Sequence, residues 1–176
     1  MAGRAPRRTL VSSPRSGARG RFAVVVGRFN EAISKNLLDG AIATLAEHGV
    51  VGDAVEVHWV AGSFELGQAA RALALTRRYA AIVCVGAVIK GATPHFDYVS
   101  SAAALGITQA ALATGVPMSF GVITALTAEQ AWARAGGPVG NRGEEAALAM
   151  LEMAGWLSAL RASGPRRPRG RRRGRA

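Results

Sequence analysis

Apolar and polar positions follow two rhythms along this chain. "RFAVVVG" (21–27) is a short β-branched run ending in glycine, which predicts a strand. In the next segment Ile33, Leu37, Leu38, Ala41, Ile42 and Leu45 recur at helical spacing, and Gly49 supplies the stop. "AVEVHWV" (54–60) alternates as a second strand, and "GSFELGQAARALALTRRY" (62–79) predicts a helix with Ser63 as its N-cap. "AAIVCVGAVI" (80–89) is apolar throughout, the pattern of a strand buried on both faces. A third helix is predicted over 94–115, a fourth strand over 116–123 ("VPMSFGVI") and a short helix over 127–136 capped by Thr127. The last helix spans 142–162, with Leu148, Leu151 and Leu160 on its apolar face.

Strands and helices thus alternate from end to end. That order predicts an α/β domain with a parallel sheet and helices on both faces. In such sheets ligands bind beyond the carboxyl ends of the strands. The segments at those ends are "RFN", "AGSFE", "KGATPH" and "TALT".

Charge changes the picture only at the ends. The chain of 176 residues has a net charge of +11, yet 14 of its 22 basic residues are arginines within 1–21 and 161–176, where there is no acid. The stretch between holds 8 bases and 11 acids, a net of −3. Three units follow: an Arg-rich arm (1–20), a globular domain (21–160) and an Arg-rich tail (161–176). Both tails are rich in Arg, Gly, Pro and Ser and lack apolar residues to bury, so they are expected to be disordered. They either bind RNA, DNA or another polyanion weakly, or serve as solvated tails. The single cysteine, Cys84, lies in an apolar run and reads as a small core residue, which suits a cytoplasmic location. No apolar run reaches the roughly 18 residues of a membrane span.

The candidate chemistry lies in the strand-to-helix seams. In "GATPH", Thr93 and Pro94 have the form of an N-cap followed by a first-turn proline, and Gly91 permits close approach of backbone to a ligand. The free N–H groups and dipole of a helix start favour an anion such as phosphate. His95, one of three histidines, falls in that first turn, where an added positive charge is disfavoured; this suits a proton acceptor. Phe29 in "GRFN" could stack on a flat heterocycle or staple the following helix. Ser63, Phe64 and Glu65 could read the edge of a heterocycle or simply start a helix. Arg134 and Arg142 have the fork geometry that suits phosphate, and equally that of solvated surface charges.

The segments "GRFN", "WVAGSFELG", "GAVIKGATPHFDYV", "VPMSFGVIT", "EQAWARAGG" and "NRGEEAALAMLEM" occur in that order. Together they resemble the lumazine synthase family of riboflavin biosynthesis over roughly residues 21–157. The resemblance implies a flavodoxin-like, three-layer αβα sandwich around a parallel four-stranded sheet. It implies a transferase that condenses 5-amino-6-(D-ribitylamino)uracil with 3,4-dihydroxy-2-butanone 4-phosphate, releasing phosphate and water, with no metal or organic cofactor. By resemblance, Phe29 stacks on the pyrimidine, while Ser63, Phe64, Glu65, Ala87, Val88 and Ile89 bind the aminouracil and its ribityl chain. Ala92, Thr93 and Arg134 hold the phosphate, Phe120 closes the site, and His95 transfers protons. Arg142 stands where the family usually has lysine, as an accessory group. The family also implies a homo-oligomer, pentameric or a shell of sixty subunits, with sites between neighbours and riboflavin synthase as a partner. Ala61 and Gly67 stand where the family commonly has proline, an exchange expected to alter stability. The rival readings are a non-catalytic flavin or lumazine carrier on the same fold, and a polyanion-binding protein acting through its tails.

Overall fold

The computed structural model describes residues 20–163; residues 1–19 of the arm, and the tail from residue 164 onward, lie outside the described residues. Four strands, β1 (Arg21–Gly27), β2 (Val55–Val60), β3 (Tyr79–Ile89) and β4 (Met118–Ala125), form one sheet in the order β2-β1-β3-β4. All three strand pairs are parallel. Helices α1 (Glu31–Glu47) and α5 (Arg142–Ala162) cover one face, and α2 (Leu66–Leu75) and α3 (His95–Thr114) cover the other. The fold is therefore a flavodoxin-like three-layer sandwich.

The pleat explains both cores. Along β1, Phe22, Val24 and Val26 pack with Leu37, Met150 and Leu151 on the α1–α5 side. Ala23 and Val25 pack with Leu66, Ile107 and Cys84 on the α2–α3 side. Central β3 is buried on both faces, as its continuous apolar run requires.

Several boundaries differ from the sequence expectation, each for a local reason. β4 starts at Met118 rather than 116 because Pro117 has no N–H and contributes only its carbonyl, which accepts from Ile82 N at 2.9 Å. It runs on to Ala125, because Thr124 and Ala125 continue the register beside Val88 and Ile89. α4 (Ala128–Ala133) is capped by Thr127 as expected, but it ends early. Ala135–Gly137 (β5) turns back to pair antiparallel with Gly140–Asn141 (β6), a two-stranded ribbon of which only Ala135 and Gly136 fall within the predicted helix. Ser63 does not cap α2. A single 3₁₀ turn over Ser63–Glu65 precedes the helix, and Glu65 Oε2 instead accepts from Gly62 N at 2.9 Å. On α5 the buried face is Gly143, Ala146, Ala147, Met150, Leu151, Ala154 and Gly155, while Leu148 and Leu160 are exposed. Small residues let this helix sit close to the sheet. α5 also carries Arg161 and Ala162, assigned to the tail from composition.

Candidate active site

The strand order reverses direction between β1 and β3, and the carboxyl ends of β1, β2 and β3 open there into a cavity of about 620 Å³. Phe29 reaches it from the β1–α1 loop, Ser63, Phe64 and Glu65 from the β2–α2 turn, Ala87, Val88 and Ile89 from the end of β3, and Thr93 and His95 from the start of α3. Nine residues separated by up to 66 positions in sequence thus share one cavity.

Glycines set the spacing of the walls. A Cβ on Gly27 would lie 3.0 Å from the Gly62 carbonyl carbon and 3.1 Å from Ser63 N, so only glycine lets the β2–α2 turn close over β1. A Cβ on Gly86 would lie 2.7 Å from Ser63 Oγ. Ser63 is buried in the cavity wall, and its hydroxyl faces β3 rather than capping a helix. Phe29 and Phe64 do the opposite: they are 74% and 60% exposed, two aromatic faces held at the mouth without a core to enter. A ring this exposed does not serve as a staple over the following helix.

His95 is the first residue of α3 and faces the cavity. The helix begins one residue later than Thr93-Pro94 suggested. Pro94 occupies the cap position with φ −63° and ψ −1°, no side chain caps the helix, and Pro94 O accepts from Asp97 N at 3.0 Å. Thr93 is therefore free of a capping bond while lining the cavity with Gly91.

Four expected residues do not line this cavity. Ala92 lies in the loop between Gly91 and Thr93. Phe120 sits on edge strand β4, 44% exposed. Arg134 closes α4, where its Nη1 donates to Gln130 O at 2.9 Å. Arg142 pairs with Glu145 at the start of α5, and its backbone N donates to Arg134 O at 2.9 Å. In turn, the cavity gains Phe96 and Val99, which sequence reasoning left as ordinary helix positions. Val99 stands four residues beyond His95 and three beyond Phe96, the spacings that bring helix positions together, so it was the residue a helical pattern could have flagged. Asn30 was also passed over; its unusual left-handed backbone has no signal in hydropathy.

Comparison with known sequences identifies the family. A profile of the 6,7-dimethyl-8-ribityllumazine synthase family matches residues 19–158. The chain belongs to the 6,7-dimethyl-8-ribityllumazine synthase family. A 6,7-dimethyl-8-ribityllumazine synthase of Syntrophus aciditrophicus (strain SB) is 49% identical over 133 residues, covering 76% of this chain and 86% of the relative. The matched region spans all four strands of the sheet and every segment that lines the cavity. Among the described residues no helix is long and apolar enough to cross a membrane.

Proposed function

We propose that this lumazine synthase family member condenses 5-amino-6-(D-ribitylamino)uracil with 3,4-dihydroxy-2-butanone 4-phosphate, and that the cavity at the β1/β3 switch holds both substrates. The observation that carries the reading is the convergence of an exposed aromatic face, a strand end and a histidine on one cavity: Phe29, Ala87–Ile89 and His95. Phe29 stacks on the pyrimidine. Ala87, Val88 and Ile89, with Phe64 and the Ser63–Glu65 turn, read its edge and the ribityl chain. Since the Ser63 hydroxyl faces Gly86, that residue contributes through its backbone. Thr93, from the cavity wall, and Ala92, from the loop beside it, hold the phosphate at the rim next to the start of α3.

His95 moves the protons. The 5-amino group adds to the ketone and water leaves to give an imine. Phosphate then departs, the enol tautomerises, and the ribitylamino nitrogen closes the second ring with loss of a second water. Each step transfers a proton that one histidine can accept and return. Holding the two substrates together supplies much of the remaining acceleration.

Phe120, Arg134 and Arg142 act on the site of a neighbouring copy. Their absence from their own chain's cavity supports this, as does α3, which presents Tyr98, Leu105 and Leu112 to solvent at seven-residue spacing. The three recur two turns apart on one side of the helix, large apolar side chains that a neighbouring copy would cover. A closed pentamer, or a shell built from pentamers, satisfies both features. The buried, unpaired Cys84 suits a cytoplasmic enzyme.

The test is an absorbance assay for lumazine formation from the two substrates, on the wild type and on His95→Ala. The wild type turns over, and His95→Ala loses about a hundredfold or more in kcat. Unchanged turnover in the variant removes His95 as the proton carrier. Binding of the aminouracil without turnover in the wild type makes the protein a non-catalytic carrier.

A further inference from the structure

The β1–α1 loop is tied to the strands on both sides of it. The N–H groups of Arg28 and Phe29 donate to the carbonyls of Val60 (2.9 Å) and Ala61 (3.0 Å), which fastens the loop to β2 and the turn after it. Asn30 reaches the other way. Its Nδ2 donates to the Ala87 carbonyl of β3 at 3.0 Å. The register between β1 and β3 ends at the Val26–Val85 pair, while β3 continues to Ile89. The Asn30 amide therefore supplies a hydrogen bond to β3 where the β1 ladder has run out.

The same residue directs the chain. Asn30 has φ 62° and ψ 46°, a left-handed conformation that asparagine tolerates better than most side chains. Its carbonyl accepts from Ile33 N and Ser34 N at 3.0 and 3.1 Å, which starts α1. Phe29 and Ala87 line the cavity; Asn30 does not. Because Phe29 is largely exposed, its own packing does not hold the ring in place. The backbone on either side of it does.

We propose that Asn30 is a positioning residue: its bond to Ala87 sets the gap between the Phe29 ring and the β3 edge, and so sets affinity for the heterocyclic substrate. This rests on the reading of Phe29 as the ring-stacking residue. It makes no demand on the phosphate end of the site, which is built from the β3–α3 loop.

The test is steady-state kinetics on Asn30→Gly and Asn30→Asp in the full chain. Both residues tolerate the left-handed backbone, and neither carries the amide donor. In both, KM for the aminouracil is expected to rise about tenfold, the scale of one lost hydrogen bond, while KM for the phosphorylated ketone stays within about twofold. In a Phe29→Ala background, Asn30→Gly should add little more, since Asn30 acts through that ring. An unchanged aminouracil KM, or an equal rise in both KM values, overturns the proposal. Phe29→Ala alone separates the two claims: if it leaves the aminouracil KM unchanged, the stacking reading fails. If it raises that KM and the Asn30 variants do not, only the positioning role falls.

Discussion

Gly67 of α2 and Gly106 of α3 meet backbone to backbone. A Cβ on Gly67 would lie 2.5 Å from the Gly106 carbonyl carbon, whereas a Cβ on Gly106 would lie 3.5 Å from Gly67 Cα, an ordinary contact. The two glycines should therefore respond oppositely to alanine. Gly67→Ala forces the helices apart and should cost about 1–3 kcal/mol. Gly106→Ala should gain up to about 1 kcal/mol from helix propensity. Chemical denaturation of both variants checks this; equal effects would mean the crossing is looser than described.

Asn141 is a buried clip between elements far apart in sequence. Its Nδ2 donates to Asn36 O at 2.9 Å, and its Oδ1 accepts from Gly143 N at 2.8 Å. Gly40 and Gly143 leave room for it: a Cβ on Gly40 would lie 2.5 Å from Asn141 Nδ2. Asn141→Ala strands the buried Gly143 N–H and drops the bond to Asn36 O, and is expected to cost about 1–3 kcal/mol in denaturant titration. Loss of less than about 1 kcal/mol would show that water replaces the side chain without penalty.

Arg134 tests the phosphate assignment. Arg134→Ala should raise KM for the phosphorylated ketone about tenfold or more and leave that for the aminouracil nearly unchanged, with partial recovery in Arg134→Lys. An unaltered ketone KM removes Arg134 from the site.

Glu56 makes the amino-terminal edge of the sheet sensitive to acid. Its carboxyl is held below the ordinary glutamate value of 4.5, first by the Tyr79 hydroxyl and then by Arg78, His58 and Arg21, against a partial loss of solvation. Arg21 and Arg78 both donate to Glu56 Oε2, at 3.0 and 3.1 Å. A depressed carboxylate contributes stability that is present above its ordinary value and lost as pH falls through the folded one. Thermal melts from pH 6 down to pH 3 should therefore fall more steeply for the wild type than for Glu56→Gln. Parallel curves would remove Glu56 from the acid response.

Cys84 is fully buried in β3, and burial pushes its thiol up to about 12. The raised value favours the folded protein below the ordinary thiol range and fades as pH rises toward 12. At pH 8 the folded protein should not react with a thiol reagent, while the denatured chain should titrate one thiol per chain. Rapid labelling under native conditions would show that the central strand opens.

Most of the architecture was legible from periodicity. A parallel sheet between helical layers buries whole strands, so β1 and β3 appear as continuous apolar runs, and each helix begins at a seam marked by Gly, Ser, Thr, Asn or Pro. Most residues of the cavity were legible for the same reason: strand ends in such sheets all open on one side, so Phe29, Ser63–Glu65, Thr93 and His95 had to share that side, while Ala87–Ile89, inside a strand, were named only through the family resemblance. The β5–β6 ribbon was not legible. Two short strands rich in glycine carry no hydrophobic period, and only their pairing identifies them.

The sequence by itself determined the layered fold, the side on which the cavity opens and the chemical groups that reach it. Only the tertiary structure decided how those groups stand. Ser63 turns its hydroxyl down onto Gly86 instead of capping a helix, Asn30 bonds across to Ala87, and Arg134 bonds to Gln130 O without lining its own chain's cavity. Each of these depends on contacts between segments remote in the chain, set by how closely backbones approach. Local propensity and periodicity describe a segment's neighbours along the chain and carry no information about distances across it.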